Sequence, residues 1–587
     1  EGLETYHARI RETVVSRMDA ELRVGMHSDL AQVLSEREGH DPELVARHYI
    51  AAERSRDAVP YLWRAAEHAS SVLAFERAAR LWEMTLEYGE WSAREKCEIN
   101  ARLGEVLGYL GRGAASARAY QEARSHAEDR ALARQYERLA GEQLLRGGRF
   151  EEGREILEGL LEELRVRMPR RGAFLLAELL ALRARVAWRG LAVKPSKEIS
   201  DEKRERLDIC WVAAQMLSAL DLKAGAYFGA LHLLDALDSG DPSHACLSLA
   251  LEATHLSGAA RTRARGEELL KTGRQLVEAE DVSSYAEAFL AFGEGMSAYL
   301  GADWRQGLER MREAEHILET RCQGVVWELD GSRLYQFFCL EMMGEFEPFV
   351  ERLPHLLDEA LQRDDLLYTT NWKLWSYRGH LANDDPDRAR RVLDGAIEDF
   401  GQESFLIQHL WYMVGAVNTA LYQGQPERAF ALLDERRQAL KGSLLLQNEM
   451  IAIFHDDLEM RAGLACMNAS QDAREQKKAR SHAERYMRAL EKNNNPLAGP
   501  LAALGSAQFA WASGERKTCV ELLEQAEERA RASRCDLHLH AILYWRAQIL
   551  GKSARASLSA AEQWFTEHGV TNPRSMVCCL IPLFAVT

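Results

Sequence analysis

NARLGEVLGYLGRGAASARAYQEA, residues 100–123, decides the fold. Leu103 and Gly104 are followed by Leu107, then the turn YLGRG, then Ser116, Tyr120 and Ala123. Apolar or small residues at three- and four-residue steps on both sides of a glycine turn describe two short helices, each with a face to bury. Gly104 and Ser116 are small where the two helices must approach. Tyr120, four residues after Ser116, fills the space left against a neighbouring pair. Such a pair cannot bury both of its faces alone, so further copies are required.

The same grammar recurs along the chain. FGEGMSAYLGADWRQGLERMREA (292–314) carries Gly295, Gly307, Met311 and Ala314, and YRGHLANDDPDRARRVLDGA (377–396) carries Ala389, Leu393 and Ala396. LYQGQPERAFALLDE (421–435) has Ala429 and Leu433, and FAWASGERKTCVELLEQA (509–526) has Cys519, Leu523 and Ala526. Seven turns, YLGRG, LLRGGRF, YLGAD, EMMGEF, LANDDP, LYQGQP and WASGE, join such helices, with Gly or Asp-Pro expected to supply the left-handed or broken backbone. The pattern resembles the tetratricopeptide repeat, with spacing that drifts beyond its roughly 34-residue unit. It predicts an all-α, TPR-like helical-repeat solenoid, a superhelix of antiparallel helix pairs.

Composition agrees. The 587 residues are 47% hydrophobic and 28% charged with only 13 prolines, a balance that suits folded helices and not bulk disorder. The net charge of −16 repels phosphate backbones, so no nucleic-acid partner is expected, and the Arg-rich segments at 168–173 and 528–534 read as solvated helix faces or ends. Ten scattered cysteines lack any C-x-x-C spacing and predict reduced core thiols in a cytoplasmic protein. The uncharged window 496–514 holds Pro and Gly and reads as a buried helix after a loop, so no membrane partner is expected. The polar stretch KPSKEISDEKRER (194–206) is the expected internal loop, separating N-terminal repeats (36–193) from C-terminal repeats (207–587).

No phosphate-binding loop, kinase signature, H-E-x-x-H or G-x-S-x-G is present, and the chain itself reads as neither an enzyme nor a cofactor or metal binder. Three metal-type groupings fall short: Glu252 with His255 lacks the second copy such a site needs, Cys535 with His538 and His540 has two histidines that point apart on one helix, and His455-Asp456-Asp457 with Glu459 lacks the remaining ligands. The first reads as a satisfied or surface histidine, and the last as a solvated helix face. What a repeat array can do is bind a protein or peptide ligand along its inner groove. Asn371, Trp375 and Arg378 share the inner face of one repeat, and Trp411 and Asn418 that of the next. An Asn, an Arg and a Trp on one face suit a carboxylate and a stacked side chain. The two tryptophans equally suit the core between repeats.

Three stretches carry a further likeness. They are YHARIRETVVSRMDAELRVGMHSDLAQVL with the sequence that follows it, residues 205–253, and AAEQWFTEHGVTNPRSMVCCLIPLF (560–584). In this order they resemble the region after the ATPase module in large bacterial regulators that join a Ser/Thr protein kinase, a STAND-class ATPase and a helical-repeat C-terminus. The resemblance implies that residues 1–35 are the tail of a winged-helix module and a bridging helix, with the ATPase and kinase domains of the parent lying upstream as intramolecular partners. It places His7 at the family's nucleotide-sensing histidine, although Ala8 stands where the family often has Asp. The implied role is a non-catalytic sensor and scaffold arm that controls the upstream ATPase. The alternative is a stand-alone adaptor bridging two partners.

Overall fold

A computed structural model describes residues 15–169, 172–194, 196, 199–401, 405–443 and 445–582. His7 lies outside them. The described residues form an all-α helical-repeat solenoid, and no strand occurs among them. Contacts divide the chain into two compact units, residues 1–163 and 164–587.

In unit 1 the helices are α1 (Ala20–Ser35), α2 (Pro42–Ala51), α3 (Ser55–Ser71), α4 (Phe75–Tyr88), α5 (Ala93–Tyr109), α6 (Gly113–Ser125), α7 (Arg130–Arg146) and α8 (Phe150–Glu163). The stretch 100–123 is the heart of the α5–α6 pair. An added Cβ on Gly104 would lie 3.0 Å from the Tyr120 ring, and the buried Ser116 hydroxyl donates to the Gly104 carbonyl at 2.6 Å. The small residues therefore let one helix rest on its partner's backbone, and Tyr120 closes the space beside them.

Unit 2 opens with α9 (Ala173–Arg189), α10 (Asp201–Leu220), α11 (Leu222–Ser239), α12 (Pro242–Ser257) and α13 (Ala260–Ala279). It continues through α14 (Ser284–Leu300), α15 (Trp304–Arg321), α16 (Val326–Met343), α17 (Glu347–Gln362), α18 (Leu366–Ala382), α19 (Pro386–Phe400), α20 (Ile407–Tyr422) and α21 (Pro426–Gly442). It ends with α22 (Glu449–Ala469), α23 (Ala473–Glu491), α24 (Ala498–Ala512), α25 (Arg516–Ala532), α26 (Asp536–Leu550), α27 (Arg555–Glu567) and α28 (Pro573–Leu580). The repeat positions read from the sequence are core: Met311, Ala314, Ala389, Leu393, Ala396, Ala429, Leu433, Cys519, Leu523 and Ala526 are all at most 1% exposed.

Two expectations change. Residues 201–206 of the polar stretch are not loop but the first turns of α10, where Asp201 and Glu202 favour the positive helix N-terminus, and the division between units falls at 163/164. All seven turns do contain a left-handed residue. In YLGAD, however, it is Ala302 (φ 64°) and not the adjacent glycine, and in LANDDP it is Asp384 (φ 58°). The helix 498–512 is almost wholly buried, and no described helix is long and apolar enough to cross a membrane. The ten cysteines are free, and eight of them are buried.

Unit 2 winds tightly enough to meet itself. Asn495 donates to the Leu300 carbonyl, Arg263 pairs with Glu449, and Asn572 donates to Asp384, across 195, 186 and 188 residues. One superhelical turn thus takes about 190 residues. Near the C-terminus the Thr571 N–H donates to the Ala382 carbonyl (2.8 Å) and the Phe346 N–H to that of His568 (3.1 Å), while the Trp564 ring lies against Gly344. The last helices therefore lie back across α16–α20.

Candidate functional site: an aromatic cavity on the inner face of unit 2

Alternate helices of a repeat array face inward, and in unit 2 these are α14, α16, α18, α20 and α22. Their inner side chains enclose a cavity of about 140 Å³, bounded also by Leu537 and His538 of α26 and Leu580 of α28. Four of the five nominated groove residues line it: Trp375, Arg378, Trp411 and Asn418. Asn371 does not. Its side-chain carbonyl accepts from Gln408 at 3.1 Å and ties α18 to α20 in the interior.

The wall is an aromatic cluster. Phe338 sits 4.0 Å from Trp375 and 5.7 Å from Trp411, centroid to centroid, and the two indoles meet edge to face at 5.8 Å. Tyr335 stacks on Phe338 at 5.2 Å, and Tyr299 reaches both from α14. Trp375 is fully buried and belongs to the core between repeats as well as to the cavity wall, so its two sequence readings are compatible. Trp411, Ile407, Val414, Ile451 and Phe454 are partly exposed and make the accessible side.

Polar groups converge on one end. The Arg378 guanidinium lies 3.7 Å from the Trp375 ring centroid and 4.4 Å from that of Tyr377, and its Nε is 2.5 Å from Glu341 Oε1. Arg461 donates to Asp457 (2.7 Å), to the Asn418 side-chain carbonyl (3.0 Å) and to the Cys579 carbonyl (2.8 Å). Asn418 in turn donates to the Tyr377 hydroxyl at 3.0 Å. This chain fastens α28 to the inner helices through the cavity's polar end. Burial pushes the His538 imidazole down to about 4, and its Nδ1 lies 3.1 Å from Cys535 Sγ. His538 is therefore neutral at pH 7 and adds no charge to the wall.

The metal-type groupings have other roles. Among the described residues no cluster of three or more His, Cys, Asp or Glu is arranged to hold a metal ion. Glu252 is buried against Arg183 at 2.6 Å, and His255 lies 3.0 Å from the Ser218 hydroxyl. The expected solvated face at 455–459 is instead interior, with His455, Asp457 and Glu459 at most 6% exposed. Burial pushes the Glu459 carboxyl up, but bonds from His455, His482 and Arg437 outweigh it and hold the group well below the usual carboxylate range. Its neighbour Asp457 serves the cavity through Arg461.

Sequence reading missed Tyr299, Phe338, Glu341 and Arg461. The first three lie on the inner faces of α14 and α16, where the groove rule applied to earlier repeats would have found them. Unit 1 has its own inner cleft of about 420 Å³ between α5 and α7, where Arg94, Glu98, Arg102 and Glu105 face Gln135 and Tyr136. No known protein family and no curated protein matches the chain.

Proposed function

We propose that this chain is the non-catalytic sensing arm of a larger signalling protein, an ATPase–kinase regulator of the kind its sequence resembles, and that unit 2 receives the signal in its inner cavity. One observation carries the reading. Trp375, Arg378, Trp411 and Asn418, on successive inner helices, border the same cavity as α26 and α28, which lie most of a superhelical turn further along the chain, Cys579 of α28 meeting Asn418 across 161 residues. A ligand held there touches both turns. It binds the closed arrangement better than an opened one, and such a difference in affinity is what biases a two-state element.

Size narrows the occupant. A cavity of about 140 Å³ is close to the roughly 150 Å³ that accommodates a benzene ring. It suits a small molecule or one inserted side chain, in place of the peptide segment expected from the open groove of a repeat array. In the parent regulator, deleting residues 200–587 is expected to change ATPase turnover and oligomeric state, and unchanged values for both would refute the sensing role. The adaptor reading is favoured by the unit 1 cleft, whose alternating Arg and Glu side chains suit an extended, mixed-charge peptide. A phosphate-binding loop encoded upstream of Glu1 supports the sensing arm, and its absence supports the adaptor.

A further inference from the structure

The charges on the cavity wall come in matched pairs, Glu341 with Arg378 and Asp457 with Arg461. An anion would enter without a free counter-charge, and a cation would meet carboxylates already engaged. Either would lose its hydration for little return.

The hydrogen bonds are not matched in the same way. Arg461 uses Nε and Nη1 on Asp457, Asn418 and the Cys579 carbonyl. Arg378 is only 7% exposed, yet apart from its contact with Glu341 it has no hydrogen-bond partner among the described residues. A guanidinium carries five N–H donors in a rigid fork, so several remain available where Arg378 borders the cavity. The indole N–H of Trp375, over which Arg378 is stacked, is likewise unpartnered. A hydrocarbon occupant would leave these donors bare, whereas an oxygen acceptor would satisfy them. The remaining wall offers the rings of Phe338, Trp375 and Trp411 at mutual distances that suit edge and offset contacts with one more ring.

We infer that the cavity takes a small neutral molecule, a single ring bearing one carbonyl-type oxygen, with Arg378 holding the oxygen and the aromatic wall holding the ring. The inference rests on the proposed reading of the cavity as the receiving site.

Three probes separate the two claims by calorimetry on the intact chain. They are acetophenone, α-methylstyrene (the same shape with a CH₂ in place of the oxygen) and benzoate. A hydrogen bond to a charged donor predicts that acetophenone binds at least about tenfold tighter than α-methylstyrene, and tighter than benzoate. Arg378→Lys keeps the ion pair but not the planar fork, and is expected to erase the preference for acetophenone while α-methylstyrene binds as before. Val414→Trp, on the partly exposed side, is expected to fill the cavity and abolish binding of every probe. Equal affinity for acetophenone and α-methylstyrene, or a preference for benzoate, would overturn the role of Arg378 and leave the cavity as a receiving site. Failure of all three probes to bind, or binding that Val414→Trp leaves intact in a folded protein, would overturn the receiving site as well.

Discussion

Removing Glu341 should damage the protein more than removing Glu341 and Arg378 together. The Glu341→Met change keeps the approximate length of the side chain but leaves the Arg378 guanidinium, 7% exposed, without a counter-charge. Breaking a buried pair from one side costs about 3–5 kcal/mol, and because the Glu341 side chain retains 15% exposure the lower end applies, about 3 kcal/mol. Arg378→Met removes the guanidinium stacked 3.7 Å from the Trp375 ring and strands Glu341, for about 2–3 kcal/mol. Replacing both by Met restores a neutral apolar wall and should cost only about 0–1 kcal/mol. The cycle therefore predicts a coupling of roughly 5 kcal/mol. A repeat array need not unfold as one unit, so the readout is the opening free energy of α18 amides by hydrogen exchange, measured for all four proteins. A double variant as damaged as the sum of the singles would refute the pairing and the neutral wall derived from it.

Three further outcomes follow from the fold. Ala302 holds φ 64°, a left-handed conformation that costs a residue with a Cβ about 1–2 kcal/mol, so Ala302→Gly should stabilise the α14–α15 turn by about 0.5–1 kcal/mol after the entropy of the unfolded chain is counted. Exchange of the α15 amides checks this, and destabilisation would contradict it. Gly104→Ala places a methyl group 3.0 Å from the Tyr120 ring and should cost about 1–3 kcal/mol in thermal unfolding of unit 1, whereas a neutral result would show that the α5–α6 contact is looser than described. Burial pushes the Asp365 carboxyl up to about 7 from 3.8, so the folded state keeps a proton that the unfolded chain releases, and this group's contribution to stability falls as pH rises from about 4 to 7. Asp365→Asn retains the cap acceptor for the Tyr368 N–H and should remove a few kcal/mol of that decline in urea unfolding at stepped pH, and an unchanged pH slope would refute it.

The repeats were legible because close helix packing leaves a local trace. Gly104, Ser116, Tyr120 and Ala123 sit within one helix pair, and their small–large order is set by contacts inside that pair and with the next. The inner face was legible for the same reason, and it placed Trp375, Arg378, Trp411 and Asn418 on a shared surface before their meeting in space was known. The closure was not legible. Arg461 reaching the Cys579 carbonyl across 118 residues and Asn495 reaching that of Leu300 across 195 depend on how small rotations between repeats add up along the chain, and no short pattern records that sum. The 455–459 stretch was misread for a related reason. Charged residues usually mark a solvated face, but here Glu459 is held by Arg437 and His482 from neighbouring helices, and Asp457 is held by Arg461 of its own helix, which itself reaches Asn418 of α20. At Ala302 the turn was foreseen but not the residue that bends, because hydrogen bonds from the Ala302 and Asp303 amides to Tyr299 and Ala298 fix the geometry and not glycine content alone.

The central claim is that occupancy of the cavity is felt by the helices that close it. Hydrogen exchange of α28 (Pro573–Leu580) with and without saturating acetophenone tests this most directly, because α28 contributes Leu580 to the wall and is fastened through the Cys579 carbonyl to Arg461. The account predicts slower exchange in α28 when the probe is bound, and no such change in the Val414→Trp protein. Clear probe binding with unaltered exchange in α28 would contradict it.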